Sequence, residues 1–327
     1  MSEKLKVLNR LNIPGATYGV ILLFIFFSLI SNKFLSLANI FLIARSSSIL
    51  LIASIGMTMV ILVSQIDLSV GSVMSLSGVI AGVCLQNGLS IPVAILLGIA
   101  AGIAVGVING IMVAVYKFDY WISTFATMGV AAGLALVFAN GETIPVVDEA
   151  FGWLGNGKLF GIYVLIYITV ILVAIMMFVL GKTKFGYNIY SIGGSEQTAL
   201  LSGIDVVKNR MYVYMCSGLF ASIAGLLLAS MGNSASPIAG ADYSFDAIAA
   251  VIIGGTSFDG GKGGLLGTVM GTLMLRILTS GLNLMGISAI WQKAIIGVAI
   301  VAILVGDALN EKRKKKNDMR RTYAYEN

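Results

Sequence analysis

Residues 161–180 read GIYVLIYITVILVAIMMFVL, a run of twenty residues without a charged side chain. A helix needs about 20 predominantly apolar residues to cross the ~30 Å hydrocarbon core of a bilayer. Over the whole chain, hydrophobic residues make up 58% and charged residues only 11%, whereas a soluble domain carries about 25% charged residues. A chain of 327 residues with this composition cannot cover itself with a polar surface. The sequence therefore predicts an integral membrane protein.

Comparable apolar runs occur along most of the chain and predict an all-α polytopic membrane protein with about ten transmembrane helices. The predicted spans are residues 16–31, 41–64, 68–86, 91–115, 122–140, 161–180, 211–231, 244–256, 264–283 and 289–306.

The Lys and Arg residues predict the orientation of these spans. Ten spans place sixteen Lys and Arg residues on the side of the two termini and three on the opposite side. Because cytoplasmic loops carry the excess of Lys and Arg, we expect both termini to be cytoplasmic. The predicted division is a cytoplasmic N-terminus over 1–15, a transmembrane permease domain over 16–306 and a basic cytoplasmic tail over 307–327. The domain includes a long cytoplasmic loop, 181–210.

The first span also vaguely resembles a secretory signal peptide, with a basic start, an apolar core and the small residues of Ser36-Leu37-Ala38. Its removal would leave nine spans and spoil the charge pattern. We therefore expect the first span to stay in the protein.

Composition argues against enzymatic and nucleic-acid functions. The chain has no histidine, so the commonest general base and metal ligand is missing. Cys84 and Cys216 lie in separate apolar runs and form no C-x-x-C pattern. The net charge of +6 is concentrated in the tail, which favours a topology marker, with contact to anionic lipid headgroups as a second role. We expect no catalytic residue, metal or cofactor, no nucleic-acid partner and no ATP-binding module in this chain.

Residues 193–204, GGSEQTALLSGI, predict a short polar helix within the loop 181–210. The Ser195 hydroxyl can cap the helix N-terminus, and Glu196 suits the positive end of the helix dipole. Gly203 stands where a helix ends in a left-handed residue. A helix of about seven residues is unstable alone because of its nucleation cost. It must therefore rest on the remainder of the chain or on another protein.

Two further segments predict turns at the cytoplasmic face. Residues 254–264, GGTSFDGGKGG, lack the phosphate-loop order because Lys262 is followed by another glycine. We expect a tight turn there, with Gly260 and Gly261 as candidates. Between the second and third spans, Asp67 and Ser69 can each cap the third span, next to Gly71. A gating or partner-contact role is the alternative for these residues.

Ionisable residues within spans often mark transport pathways. Arg276 is the deepest, about 18 Å from the start of its span at 1.5 Å per residue. It needs water or a partner, and Asp246 on the preceding span is the candidate partner. The alternative is an Arg276 side chain along a solvated cavity. Lys293 and Asp307 lie near span ends.

On the outer side, the loop of about residues 141–160 is either a connector or a partner-binding element.

Several segments together resemble the membrane permease of a bacterial monosaccharide ABC importer, most closely the ribose type. They cover roughly residues 34–306 and are specific for the permease family, and much less so for one sugar. The segments are GMTMVIL (56–62), IDLSVGS (66–72), IYSIGG (189–194), LSGI (201–204), DAIAAV (246–251), GGTS (254–257), GGKG (260–263), GT (267–268) and GLNLMG (281–286).

The resemblance implies a transport subunit of the bacterial cytoplasmic membrane rather than an enzyme. It implies two permease copies with the translocation path between them, an extracytoplasmic sugar-binding protein and a cytoplasmic ATPase that binds the ATP. It also implies that the short helix docks onto that ATPase. The coupling residues are then Gly193, Gly194, Ser195, Glu196, Gln197, Thr198, Leu200, Leu201, Ser202 and Gly203. Independently of the resemblance, Asp246, Arg276 and Asn283 are the pathway candidates.

Four positions depart from the family pattern, which often has Asn at Ser195 and Arg at Leu200. It usually has Gly at Gln65 and a small or apolar residue at Arg276. Leu200 removes a charge and therefore predicts an ATPase with a less acidic groove, or apolar packing at this contact. A nucleoside or branched-chain amino acid permease of the same superfamily is the alternative, followed by an ATP-independent secondary transporter or channel.

Overall fold

The computed structural model describes residues 15–298 together with Val301 and Val305. The predicted N-terminal segment up to residue 14 and the tail 307–327, with Asp307, lie outside the described residues. The described helices are α1 (Ala16–Ile30), α2 (Leu37–Leu62), α3 (Val70–Gln86), α4 (Ile91–Gly110, continued by a π-helical turn Ile111–Val115), α5 (Tyr120–Phe138), α6 (Glu149–Asn156), α7 (Val164–Lys182), α8 (Lys184–Gly194), α9 (Glu196–Leu201), α10 (Val206–Gly232), α11 (Tyr243–Ile253), α12 (Leu265–Leu284) and α13 (Ala289–Val298).

Four two-residue strands complete the described fold. Strand β1 (Ile144–Pro145) pairs antiparallel with β4 (Ser234–Ala235), and β2 (Lys158–Leu159) pairs antiparallel with β3 (Ile162–Tyr163). The first pair ties the predicted outer loop to the end of α10. Within that loop, the Asp148 carboxylate caps α6 by accepting a hydrogen bond from the Phe151 N–H at 2.9 Å. Phe151 is fully buried, so this part of the outer loop is an ordered element.

The predominantly helical membrane class is confirmed, but the count of about ten spans is not. Six described helices are long and apolar enough to cross a membrane, namely α2, α4, α5, α7, α10 and α12. The other four predicted spans correspond to the shorter apolar helices α1, α3, α11 and α13. The 11 residues of α11 extend only about 16 Å, roughly half of the hydrocarbon core.

Helix α10 lies at the centre of the bundle, packed against α2, α3 and α4. Glycines at every fourth position of α4 allow its backbone to approach α10 closely. A Cβ atom on Gly102 would lie 2.6 Å from the carbonyl oxygen of Gly218, and one on Gly106 would overlap the carbonyl oxygen of Tyr214. Such small-residue contacts are a common way for membrane helices to associate.

The N-termini of the two short helices α3 and α11 meet inside the bundle. The Gly71 N–H of α3 donates to the Ser244 hydroxyl of α11 at 2.8 Å, and that hydroxyl donates to the Leu68 carbonyl at 2.8 Å. In return, the Ser75 hydroxyl of α3 accepts from the Gly240 N–H at 2.9 Å. Each helix end therefore satisfies backbone groups of the other. Discontinuous helices that meet in this way are typical of transporters.

Candidate functional site

The short helix α9 has the predicted ends. The Ser195 hydroxyl accepts a hydrogen bond from the Thr198 N–H at 3.2 Å, and Gly203 has a left-handed φ of 78°. The helix has six residues, close to the predicted seven. Its Ala199 is 2% exposed and belongs to the main hydrophobic core. The chain itself therefore supplies one face on which this helix rests.

Three segments meet next to α9, and we call their meeting point the inner junction: residues 62–64, 190–194 and 259–263. The Gly261 N–H donates to the Leu62 carbonyl at 3.0 Å, and the Ser64 hydroxyl donates to the Asp259 carbonyl at 2.6 Å. The Tyr190 hydroxyl donates to the Gly263 carbonyl at 3.1 Å, and burial raises the pKa of this hydroxyl. It therefore remains a donor at neutral pH.

Glycines make the inner junction possible. Gly260 and Gly261 have φ values of 79° and 66°, which a residue with a Cβ atom adopts only under strain. A Cβ atom on Gly193 would overlap both the Leu62 carbonyl oxygen and the Gly261 amide nitrogen. The predicted turn at Gly260 and Gly261 is therefore present, and it contacts the coupling segment directly. A role in gating stays a prediction.

The outward surface of α9 carries two exposed leucines. Leu200 is 55% exposed and Leu201 is 84% exposed. Glu196 instead forms a two-pronged ion pair with Arg210 of α10, at 2.7 and 3.2 Å. The Glu196 carboxylate is thus already occupied within the chain, which leaves the two leucines as the side chains most free to contact a partner. Gln197 and Thr198 lie on the same short helix, Ser202 follows its last residue, and all three are exposed.

Asp67, Ser69 and Gly71, which we expected at the inner face near the glycine turn, are buried within the protein. Asp67 is 1% exposed and Ser69 is fully buried. The Asp67 carboxylate accepts hydrogen bonds from the Ser69 N–H at 2.9 Å and from the Ser69 hydroxyl at 2.6 Å. The physical reason is that the chain turns back into the bundle after Ser64, so α3 begins inside the protein. Asp67 holds the start of α3, as predicted, but the Ser69 hydroxyl makes no cap bond.

Three polar residues from other helices complete an Asp67 cluster that the sequence reasoning missed. The Ser217 hydroxyl of α10 donates to the Asp67 carboxylate at 2.7 Å. The Asn109 amide of α4 donates to the Ser69 hydroxyl at 3.0 Å, and its oxygen accepts from the Thr127 hydroxyl of α5 at 2.6 Å. Asn109 lies two residues before the π-helical turn Ile111–Val115, a feature that often marks functional sites. Buried polar residues in apolar spans were the available signal.

Arg276 pairs with the predicted partner. Its guanidinium lies 3.1 Å from the Asp246 carboxylate, and the two side chains are 14% and 27% exposed. The guanidinium also lies over the Tyr243 ring, 5.4 Å from its centroid. Near this pair, the Lys293 ammonium forms an ion pair with the Asp242 carboxylate at 2.9 Å. The sequence reasoning did not single out Asp242. These charges lie on α12 and α13 and at the start of α11.

Asn283 does not join the ion pair. It lies seven residues beyond Arg276 on α12, about 10 Å along the helix. Its side-chain oxygen accepts a hydrogen bond from the Gln292 amide at 2.7 Å. The structure therefore separates the three predicted pathway residues into an ion pair and a contact between α12 and α13.

We expect Arg276→Leu to destabilise the protein by about 1–3 kcal/mol, because removing one partner leaves the Asp246 carboxylate uncompensated in a poorly hydrated setting. The double variant Arg276→Leu/Asp246→Leu should regain most of that loss. Thermal unfolding of the purified variants in detergent measures both. Equal stability of wild type and the single variant would contradict a coupled pair.

Comparison with known proteins gives concordant results. Residues 39–304 match the model of the branched-chain amino acid transport system / permease component family. The chain is 40% identical to the ribose import permease protein RbsC of Bacillus subtilis over 89% of this chain and 91% of that protein. The corresponding values are 40%, 90% and 93% for the Haemophilus influenzae protein and 38%, 85% and 88% for the Escherichia coli K12 protein. No solved structure matches the chain.

Proposed function

We propose, since this chain belongs to the branched-chain amino acid transport system / permease component family, that it is the transmembrane subunit of an ATP-driven, binding-protein-dependent importer of a monosaccharide, ribose or a similar sugar. The observation that carries the sugar assignment is the 38–40% identity, over about nine tenths of the chain, to three ribose import permeases. The chain is a transport component and a protein of the bacterial inner membrane.

For the fold we propose ten membrane-inserted helices with both termini in the cytoplasm. Two of the three segments of the inner junction support this orientation, because they lie in loops that carry Lys or Arg, four in the loop 181–210 and Lys262 in the glycine turn. Of the four shorter helices, α3 and α11 contribute partial spans that are buried against longer neighbours, whereas α1 and α13 are largely exposed in the single chain. Irregular backbone such as residues 63–69 is tolerated at membrane depth when protein surrounds it.

We propose that a cytoplasmic ATPase docks onto α9, chiefly through Leu200 and Leu201. Since Leu200 stands where the family pattern often has Arg, apolar packing replaces the charge contact of that pattern, and the Glu196 carboxylate is bound to Arg210. ATP is bound by that partner, and this chain performs no chemical step. Movement of α9 would reach α2 through Gly193 and would reach α12 through the glycine turn.

We propose that the sugar path runs between two copies of this chain, along the region of the Arg276–Asp246 pair. The neighbouring charges Asp242 and Lys293 are 66% and 68% exposed in a single chain. Charges near the ends of membrane-inserted helices are accommodated by water or by a protein neighbour, and a second copy with a water-filled path between the two would supply both. The sugar-binding protein would deliver the sugar on the outer side, opposite to the inner junction and near α6.

The test of this function is transport by the full assembly. We expect proteoliposomes that contain this chain, its ATPase and its sugar-binding protein to accumulate labelled ribose only with ATP. Excess unlabelled ribose should compete, and leucine and adenosine should not. Accumulation of a nucleoside or an amino acid in place of any monosaccharide would overturn the sugar assignment and leave the permease assignment intact.

A second experiment tests the docking surface. We expect Leu201→Asp to reduce ATPase co-purification by about tenfold, since placing a carboxylate in an apolar contact costs a desolvation penalty of at least about 1–3 kcal/mol. Leu201→Met, which keeps the apolar surface, is the matched control and should retain the ATPase. Full co-purification with Leu201→Asp would exclude this face of α9 as the contact.

A further inference from the structure

An outer cavity of about 360 Å³ lies between α2 and the β2–β3 hairpin. Its lining residues are Leu37, Ala38, Phe41, Leu42, Arg45, Lys158 and Tyr163. Arg45 precedes Leu62 at the inner junction by 17 residues of the same helix, or about 26 Å. Since the hydrocarbon core is ~30 Å thick, the cavity lies close to its outer boundary.

Two cationic side chains converge on one aromatic ring in this cavity. The Arg45 guanidinium lies 4.3 Å from the centroid of the Tyr163 ring, and the Lys158 ammonium lies 4.8 Å from it. Within residues 15–298, neither side chain forms an ion pair with a carboxylate. Because both lie within 5 Å of one ring centroid, the two cationic groups are at most about 9 Å apart, and their repulsion is larger in the poorly hydrated interface than in water. An anion between them would remove that cost.

The Arg45 side chain is held in place by groups outside the cavity. Its Nη2 atom donates to the Gly155 carbonyl at 3.1 Å and to the Asn156 side-chain oxygen. Guanidinium groups carry five N–H donors, and the Nη1 donors have no partner among the described residues. The guanidinium is therefore pre-oriented with donors to spare, which suits the bidentate recognition of a phosphate.

The apolar walls indicate the source of the phosphate. Leu42 is 57% exposed and lies beside Phe41 on the same face of α2 as Arg45. Tyr163 stands at the membrane–water boundary, where tyrosines are enriched. We propose that the outer cavity binds the headgroup of an anionic phospholipid, with the phosphate between Arg45 and Lys158 and the apolar part of the lipid against Phe41 and Leu42.

The test uses the full chain purified from bilayers of equal parts phosphatidylglycerol and phosphatidylcholine, followed by native mass spectrometry. We expect wild-type protein to retain phosphatidylglycerol in preference to phosphatidylcholine. Lys158→Gln should lower this retention about fivefold, since one basic residue near an anionic surface contributes about 1 kcal/mol. Lys158 suits this test because its side chain donates no hydrogen bond in the described structure, whereas the Arg45 side chain also holds α6.

Lys33→Gln is the matched control, because Lys33 is another exposed cation near the start of α2 and does not line the cavity. It should retain phosphatidylglycerol as wild type does. Equal retention of the two lipids by wild type, or unchanged retention by Lys158→Gln, overturns the proposal. If an excess of inorganic phosphate displaced the bound phosphatidylglycerol, the site would be assigned to a free anion instead. Loss of sugar-binding-protein affinity in Lys158→Gln with unchanged lipid retention would assign the patch to a protein contact.

Discussion

Gly193→Ala should cut ATP-coupled sugar uptake by at least about tenfold, since forcing a methyl group into a packed contact costs about 1–3 kcal/mol. The added methyl group would overlap the Leu62 carbonyl oxygen and the Gly261 amide nitrogen. Both of these are backbone atoms, which cannot rotate away. The coupling segment must therefore move away from α2 and the glycine turn. Uptake into reconstituted proteoliposomes, with ATPase activity recorded in parallel, measures the effect.

Gly194→Ala is the control for this substitution. A Cβ atom on Gly194 has no neighbour within 4 Å, so the same change one residue later should leave uptake close to wild type. The expected signature of Gly193→Ala is ATP hydrolysis that no longer drives transport, with the ATPase still bound through Leu200 and Leu201. If Gly193→Ala transported sugar as wild type does, the inner junction would have no part in coupling.

Gly71→Ala is expected to damage folding strongly, because it pushes the two short helices apart. A Cβ atom on Gly71 would overlap the carbonyl oxygen of Gly240 and would lie 3.0 Å from the Ser244 hydroxyl. The hydrogen bond from the Gly71 N–H to Ser244 would stretch with it, and a helix terminus inside the bundle would lose its partner. We expect a loss of about 3 kcal/mol or more, measured as thermal unfolding and as the yield of monodisperse protein.

Gly133→Ala on α5 is the control for Gly71→Ala, and we expect no loss of stability. A Cβ atom there meets nothing within 4 Å, and alanine is favoured over glycine in a helix interior by about 0.5–1 kcal/mol. This variant should be as stable as wild type or slightly more so. Wild-type stability of Gly71→Ala would mean that the contact between α3 and α11 is looser than the structure describes.

The glycine contacts at Gly193 and Gly71 suggest how a displacement at the inner junction reaches the helices deeper in the bundle. Helix α11 begins at the contact with Gly71 and is followed directly by Gly254. A Cβ atom on Gly254 would overlap the backbone of Gly267 on α12. Since α12 also follows the glycine turn of the inner junction, a displacement of that turn is transmitted to α11. Asp246 and Arg276 couple the same two helices deeper in the bundle. Rigid elements joined by close backbone contacts suit a rigid-body change of access.

Several features could be predicted from the sequence because each depends on neighbouring residues. The helix at 196–201 needed only a capping serine before it and a glycine after it. The partner of Arg276 could be proposed because an arginine at that depth requires one, and few carboxylates lie in the adjacent spans. The glycine turn at 260–261 was visible from its composition and from the failed phosphate-loop order.

Other features could not be predicted because they depend on which backbone comes close in three dimensions. Hydropathy places Asp67 at a boundary between two apolar runs, where an exposed loop is the ordinary outcome. Its burial depends on Ser217 and Asn109, which are 150 and 42 residues away. The ion pair between Glu196 and Arg210 likewise depends on the direction in which α10 leaves the loop.

By itself, the sequence determined the membrane class, the predicted orientation and the capped helix of the long loop, because hydropathy, charge and capping are local properties of the chain. Only the tertiary structure decided that α3 and α11 stop short and meet end to end, that the Asp67 cluster is buried, and that α9 presents leucines rather than its glutamate. The physical reason is that a buried helix end or carboxylate is stable only when distant residues supply its hydrogen bonds. The identity of those residues is settled by packing.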